Sequence, residues 1–327
     1  MAVISGTGTR LDFKGERESL SDRIYRISPE ETLFVSMIGR GPEGQAIVEE
    51  WQTETLGATD TGNAQVEGDS FSYTTPAATV RVANIHQISS KSVSISRSHE
   101  KIKKAGRKSE LAHQVAKRGV ELRKDIESIC LTSQSADMGG ASTARKIAAL
   151  SSWLKTNTNF YTTDGADPVY GSGIPSAART DGGTLRAFTE TIHKDVLQQM
   201  WTEGANPKVL MVGPVNKQKV SATFTGLATR NIDLANAAAK PMAAIAAIDI
   251  YVGDFNTVRV VPNRLQRERD AWYIDPEFLE IRYLDPMHTI TPAKTADSEQ
   301  RVLLAEWTLV VKQEAAEGAA FDLTTTA

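Results

Sequence analysis

Hydrophobic positions along this chain recur in stretches of helical spacing and of strict alternation, separated by runs that show neither. Residues 1–28 are rich in Gly, Ser, Thr, Arg and Glu and hold few core-forming side chains. Such an arm cannot bury enough apolar surface to order itself, so it is expected to be disordered or to lie on a neighbour. Ser28-Pro29-Glu30-Glu31 then predicts a helix start, with Ser28 as cap, Pro29 in the first position and acids in the first turn. Leu33, Phe34, Met37 and Ile38 supply its apolar face, and Gly39 stops it.

From Gln45 to Leu56 the pattern turns β-like, with Ile47, Val48, Trp51, Thr53 and Thr55. It does so again from Ser70 to Ser96, with alternate apolar positions at Val80 and Val82 and at Val93 and Ile95. The polar run Gly57–Asp69 lies between them, so the pair is expected to form a long hairpin. At about 3.3 Å per residue its first arm would reach roughly 40 Å. A two-stranded ribbon is marginal in water, and this one has few large apolar residues, so it needs a partner surface.

The longest predicted helix runs from Ser98 to about Thr132, with Leu111, Val115, Leu122, Ile126 and Ile129 in one stripe. Gly139-Gly140 and the punctuated run Asn157–Gly183, expected to be a long loop, bracket a short helix with Ile147, Leu150, Trp153 and Leu154. A further helix places Leu185, Phe188, Ile192, Val196 and Met200 on one face and ends at Gly204. Lys208–Val212 predicts a buried strand, and the next helix holds Val220, Phe224 and Leu227. Strands follow at Ile248–Val252, Val258–Val261, Ala271–Ile274, Leu279–Leu284 and Val302–Lys312. No repeat or heptad array is visible.

At 327 residues, 40% hydrophobic and 24% charged, the composition is that of an ordinary globular chain with room for a real core. A net charge of −3 argues against sequence-specific DNA binding, which usually needs a basic balance. The single cysteine, Cys130, cannot form an intrachain disulfide and reads as a buried, inert thiol. No signal peptide is apparent, and the most apolar stretch, Ala237–Val252, is broken by Lys240, Pro241 and Asp249, so no membrane partner is expected.

Catalytic chemistry finds no anchor. Gly39-Arg40-Gly41-Pro42-Glu43-Gly44 matches the dinucleotide-binding spacing, but a helix precedes it, a strand follows it and Pro42 removes an amide, so a turn is expected. The histidines at 86, 99, 113, 193 and 288 are not at metal-ligand spacing. The adjacent acids Glu30-Glu31 and Glu49-Glu50 face apart rather than forming a working pair. No enzymatic activity, metal or cofactor is expected, and an enzyme with an unrecognised site is the rival from a different class. One charged feature stands out: Lys101, Lys103, Lys104, Arg107 and Lys108, opposed nearby only by Glu100 and Glu110. They form either a solvated helix start or a non-specific contact with nucleic-acid phosphates.

Several blocks, taken in order, carry a family resemblance. They are Arg81-Val82-Ala83-Asn84 leading into the long helix, Leu122 to Glu127 on it, and Met138-Gly139-Gly140 after it. Pro207 to Pro214, Val260-Val261-Pro262-Asn263-Arg264, and Asp275-Pro276 to Asp297 follow. The series resembles the major capsid proteins of tailed bacteriophages, with the Hong Kong 97 fold that encapsulin compartments share. The resemblance covers nearly the whole chain and implies an α+β subunit divided in the family's manner. Its parts would be an N-terminal arm (1–28), a short helix and turn (29–44), an E-loop hairpin (45–96), a spine helix (97–135), a short helix and long loop (136–183), an axial domain (184–276) and return strands of the peripheral domain (277–327).

The implied function is self-assembly into pentamers and hexamers of an icosahedral phage head around double-stranded DNA, with an encapsulin-like compartment as the alternative. Gly57, Asp60, Gly62, Glu67, Gly68 and Asp69 would make intersubunit E-loop contacts, and Lys101, Lys103, Lys104, Arg107 and Lys108 would face DNA. Portal, scaffolding and decoration or cement proteins are the other implied partners, with assembly in the host cytoplasm and residence in the virion. Two departures from the family pattern bear on these expectations. The short arm leaves no room for a fused scaffold, and no lysine lies between Ala46 and Ser90 to cross-link the hairpin.

Overall fold

The computed structural model describes residues 27–71, 73–224, 249–294 and 296–326. The expectations for the arm, and for Leu227 and Ile248, lie almost wholly outside the described residues. The first helix, α1 (Leu33–Ile38), starts later than expected, with Thr32 rather than Ser28 at its boundary and no side-chain cap from Thr32. Its leading amides are taken instead by a distant carboxylate. Phe34 N–H donates to Glu127 Oε1 and Val35 N–H to Glu127 Oε2, both at 2.9 Å. The segment Gly39–Gly44 runs beside the later strand 279–290, with Gly41 N–H bonded to Ile281 O and Gly44 N–H to Tyr283 O. It is thus a connecting segment, in keeping with the expected turn.

Strand β1 (Val48–Thr53) pairs antiparallel with β2 (Val80–Ile85), from Val48–Ile85 to Thr53–Val80. After His86 the chain forms β3 (Gln87–Ser96) in another sheet, so the expected second arm of the hairpin, 70–96, is divided. The expected single spine helix is also divided, into α2 (Arg97–Lys101) and α3 (Glu110–Cys130). Between them Gly106 adopts φ +74°, a conformation L side chains rarely take. Glu100 and Ser109 restart the helix: Glu100 Oε2 accepts from Glu110 N–H (3.0 Å), and Ser109 Oγ accepts from Ala112 N–H (3.2 Å).

Short helix α4 (Leu150–Trp153) follows, then β4 (Thr158–Asn159). The stretch expected to be irregular also holds a hairpin of β5 (Val169–Gly171) and β6 (Ile174–Ala177). Its two-residue turn is Ser172-Gly173, both at positive φ, the arrangement whose twist suits a tight hairpin. Next come α5 (Glu190–Thr202), capped by Thr189, then β7 (Val209–Val212) and α6 (Pro214–Thr223). The chain ends through β8 (Ile250–Val252), β9 (Thr257–Pro262), β10 (Ala271–Ile274), β11 (Leu279–Ile290), β12 (Ser298–Val311) and β13 (Gly318–Ala320).

Two larger sheets organise these elements. One has the order β11-β12-β3, with α3 lying across it; the other has the order β4-β13-β10-β7-β9-β8. The last strand therefore pairs in the six-stranded sheet, apart from the other return strands of 277–327. Alternation on this sheet separates two cores. Met211, Trp272, Ile274 and Phe321 face a core shared with Phe34, Leu122, Ile126, Leu131, Trp307 and Leu309. Leu210, Val212, Ala271 and Tyr273 face a second core with Phe188, Val196, Met200 and Phe224. Each large apolar side chain fully buried there contributes about 1.5–3 kcal/mol. Cys130 is among the buried residues, and burial pushes its thiol well up.

Candidate functional site

The hairpin β1–β2 is fixed at its root and bare beyond it. Trp51 packs on Trp153 with ring centroids 5.3 Å apart, and Trp153 packs on Tyr170 at 6.1 Å. Ala83 N–H donates to Gly173 O at 3.1 Å. The β5–β6 turn approaches so closely that a Cβ on Gly173 would sit 2.2 Å from Arg81 O, so only glycine fits. Asn84 is fully buried and joins three segments: Nδ2 donates to Leu309 O (2.7 Å) and Ala148 O (3.2 Å), and Oδ1 accepts from Ala148 N–H (2.8 Å).

On the other side, Glu49 pairs with Arg282, which also holds Glu280, and Lys312 reaches Glu280 at 3.1 Å. His86 lies beneath Glu49 at 3.6 Å, and burial lowers its pKa more than Glu49 raises it. These contacts set the direction in which the hairpin leaves the subunit.

Past Thr53 and Val80 the ladder ends, well short of the expected arms. Leu56 is 97% exposed and Tyr73 92% exposed, and Val66 and Phe71 are also bare. Gly57, Asp60, Gly62, Glu67, Gly68 and Asp69 all fall in this unpaired stretch and are exposed. Asp60 Oδ1 accepts from Gly62 N–H, and Asp69 Oδ1 from Ser70 N–H, each at 2.8 Å. These short turns shape the loop without covering it. The apolar side chains at 56, 66, 71 and 73 were not singled out from sequence, because each stands alone in a polar run.

The basic cluster does not act as a unit. Lys104 Nζ donates to Glu100 O (3.1 Å) and Ile102 O (3.3 Å) and lies 3.6 Å from Glu100 Oε2. Arg107 pairs with Glu110, whose carboxyl Gln114 and Arg107 hold below the usual range. Lys101, Lys103 and Lys108 are exposed and have no ion pair among the described residues. Five candidate cations thus become three.

Titratable groups elsewhere sit inside the packing. Burial lowers His193 to about 4; its Nδ1 lies 2.8 Å from the Tyr273 hydroxyl, among the rings of Phe224 and Tyr251. Burial raises Asp270 to about 7 despite Arg267, whose Nε is 3.3 Å away. No helix among the described residues is long and apolar enough to cross a membrane.

Comparison with known proteins places this geometry. The SU10 major capsid protein family model matches residues 4–324. The major capsid protein of Escherichia phage Phieco32 is 29% identical over 243 residues, covering 66% of this chain and 68% of that protein. The capsid asymmetric unit of cyanophage A-1(L) superposes with a TM-score of 0.67 at 12% identity, over 95% of this chain and 98% of that one. The SrpI encapsulin of Synechococcus elongatus PCC 7942 superposes with a TM-score of 0.54 at 9% identity, over 96% and 94%. At such identities these two likenesses carry the fold alone, and the fold is the Hong Kong 97-type capsid fold the sequence resembles. With nearly its whole length matched, this chain belongs to the SU10 major capsid protein family.

Proposed function

We propose that this capsid protein closes an icosahedral head as pentamers and hexamers and encloses double-stranded DNA. The observation that carries this is the hairpin, rooted by Trp51 and Asn84 but with its ladder ending at Thr53 and Val80 and, among the described residues beyond, Leu56, Val66, Phe71 and Tyr73 in water. A ribbon so exposed gains by covering itself on a neighbour, and repetition of that exchange under symmetry stabilises a closed shell over free subunits. The subunit works by packing rather than by chemistry. Its partners are other copies of itself, packaged DNA held without sequence preference, and a portal and scaffolding protein; a decoration or cement protein is compatible with a shell lacking hairpin lysines. Assembly takes place in the host cytoplasm.

Size-exclusion chromatography followed by negative-stain microscopy tests this. Uniform shells that contain DNA in infected cells are the expected result. Shells filled with a protein cargo would favour a compartment like the encapsulins, and a small soluble oligomer would overturn the proposal.

A further inference from the structure

We infer that residues 166–180 form a strut that sets the angle at which hairpin β1–β2 leaves the subunit, and thereby the diameter of the shell. This role rests on the shell reading above. The strut begins on the six-stranded sheet. Buried Arg179 lies between the rings of Phe160, just after β4, and Phe321, just after β13, with its guanidinium carbon 4.3 and 4.1 Å from the two centroids. Its Nη2 donates to Asp167 Oδ1 at 2.6 Å. Ala166 and Thr180 close the neck by exchanging two backbone bonds, Ala166 N–H to Thr180 O at 3.1 Å and the reverse at 3.0 Å. A planar cation held on two aromatic faces and by a carboxylate has one orientation, so the base of the strut is fixed.

Its far end meets the hairpin stem. Ala136 N–H donates to Pro175 O at 3.0 Å, which ties β6 to the segment after α3. The Tyr170 hydroxyl donates to Trp153 O, and Trp51 of β1 packs on the Trp153 ring. At the turn, Gly173 O takes Ala83 N–H, and only the missing Cβ lets the backbone come so close to Arg81 O. The strut therefore holds β2 from outside the β1–β2 ladder, just beyond Asn84, which pins that strand to the core. Arg81 lies about 10 Å from Asn84 at about 3.3 Å per residue, so a shift of about 1 Å there turns the stem by about 6° and carries a loop tip roughly 40 Å out by about 4 Å. A closed shell repeats the angle between neighbours at every contact, so a change of a few degrees alters how many copies close it. Gly173 is thus a positioning residue for assembly.

Two full-length variants test this beside wild type. Gly173→Ala sets a Cβ against Arg81 O and displaces the stem or the turn. Tyr170→Ala takes the ring and hydroxyl off Trp153 and loosens the strut without touching the β1–β2 ladder. Each is expected to keep the circular dichroism of wild type and to assemble. Negative-stain microscopy should show particle diameters spread about twofold more widely than wild type. Hydrogen exchange at the Ala83 amide of the unassembled subunit should rise about tenfold in both. Residues that only stabilised the fold would lower the melting temperature and the yield of shells and leave their diameter alone. Uniform shells of wild-type diameter from either folded variant, whatever the yield, therefore overturn the inference. Folded variants that form no shells would show that the strut decides closure rather than size, which overturns it too. If Gly173→Ala does not fold, Tyr170→Ala decides alone. Wild-type protein that forms no shells would contradict the shell reading itself, and the inference would fall with it.

Discussion

The carboxylate of Glu127, on the spine helix, caps helix α1 by accepting from Phe34 N–H, 93 residues earlier in the chain, at 2.9 Å. Its second oxygen takes Val35 N–H, and Asn263 Nδ2 donates to its first at 2.7 Å. One fully buried side chain therefore ties α1, the spine and the turn after β9 together. A carboxylate at a helix N-terminus meets both free amides and a favourable dipole.

Glu127→Ala leaves one buried and one part-buried amide without an acceptor and is expected to destabilise the unassembled subunit by about 3 kcal/mol. Glu127→Gln keeps one acceptor oxygen and should lose about half as much. Denaturant unfolding of the two variants beside wild type checks this. Equal stability of all three would show that the cap contributes nothing.

Stability should also depend on pH through Asp270. Its folded pKa, about 7, lies above the ordinary carboxyl value of 3.8, so the folded state holds the proton more tightly than the unfolded chain. The stability this confers is complete below the unfolded value and is lost as pH rises toward about 7. Asp270→Asn should remove that slope and gain about 1–3 kcal/mol at pH 8. His193, lowered to about 4 from 6.5, acts in the opposite sense, losing stability as pH falls from 6.5 toward 4. The difference between variant and wild type across pH 4–8 isolates the Asp270 contribution. A flat difference profile would refute it.

The mature shell should be non-covalent. An isopeptide cross-link needs an amine nucleophile on the hairpin, and no lysine lies between Ala46 and Ser90. Arg81 cannot substitute, because its guanidinium stays protonated. Cys130 is fully buried, so it is not available to join subunits by disulfide. Boiled, reduced particles should run as one band near 35.5 kDa. A reductant-resistant ladder of multiples would mean that another chemistry links the subunits.

Strands were legible where apolar residues clustered between Gly, Asn or Pro, as at β9, β10 and β12: β12 gives alternate side chains to the first core, β9 to the second, and β10 to both. Helix α5 was legible from Phe188, Val196 and Met200, although it begins only at Glu190 after the Thr189 cap. The start of α1 was misplaced because Ser28 and Pro29 are good local signals, whereas the cap in use, Glu127, is far away in sequence. The break in the spine was signalled by Gly106 and Ser109, but the surrounding lysines are good helix formers and hid it. The β5–β6 hairpin had its Ser172-Gly173 turn, but its strands lack large apolar residues on alternate positions. In the candidate site, the polar loop was legible as a whole. Its bare apolar side chains emerged only once the ladder was seen to end at Thr53 and Val80.

The most direct test of the account removes the loop and looks for shells. Deleting residues 58–68 takes away exposed, unpaired chain and leaves the Trp51 and Asn84 anchors untouched. The unassembled subunit should therefore keep its melting temperature to within about 2 °C, since no buried group is lost. Negative-stain microscopy should then show no closed particles under conditions where the full chain forms uniform shells. Normal, stable particles from the deleted protein would contradict the claim that this loop hands the subunit's unsatisfied surface to its neighbours.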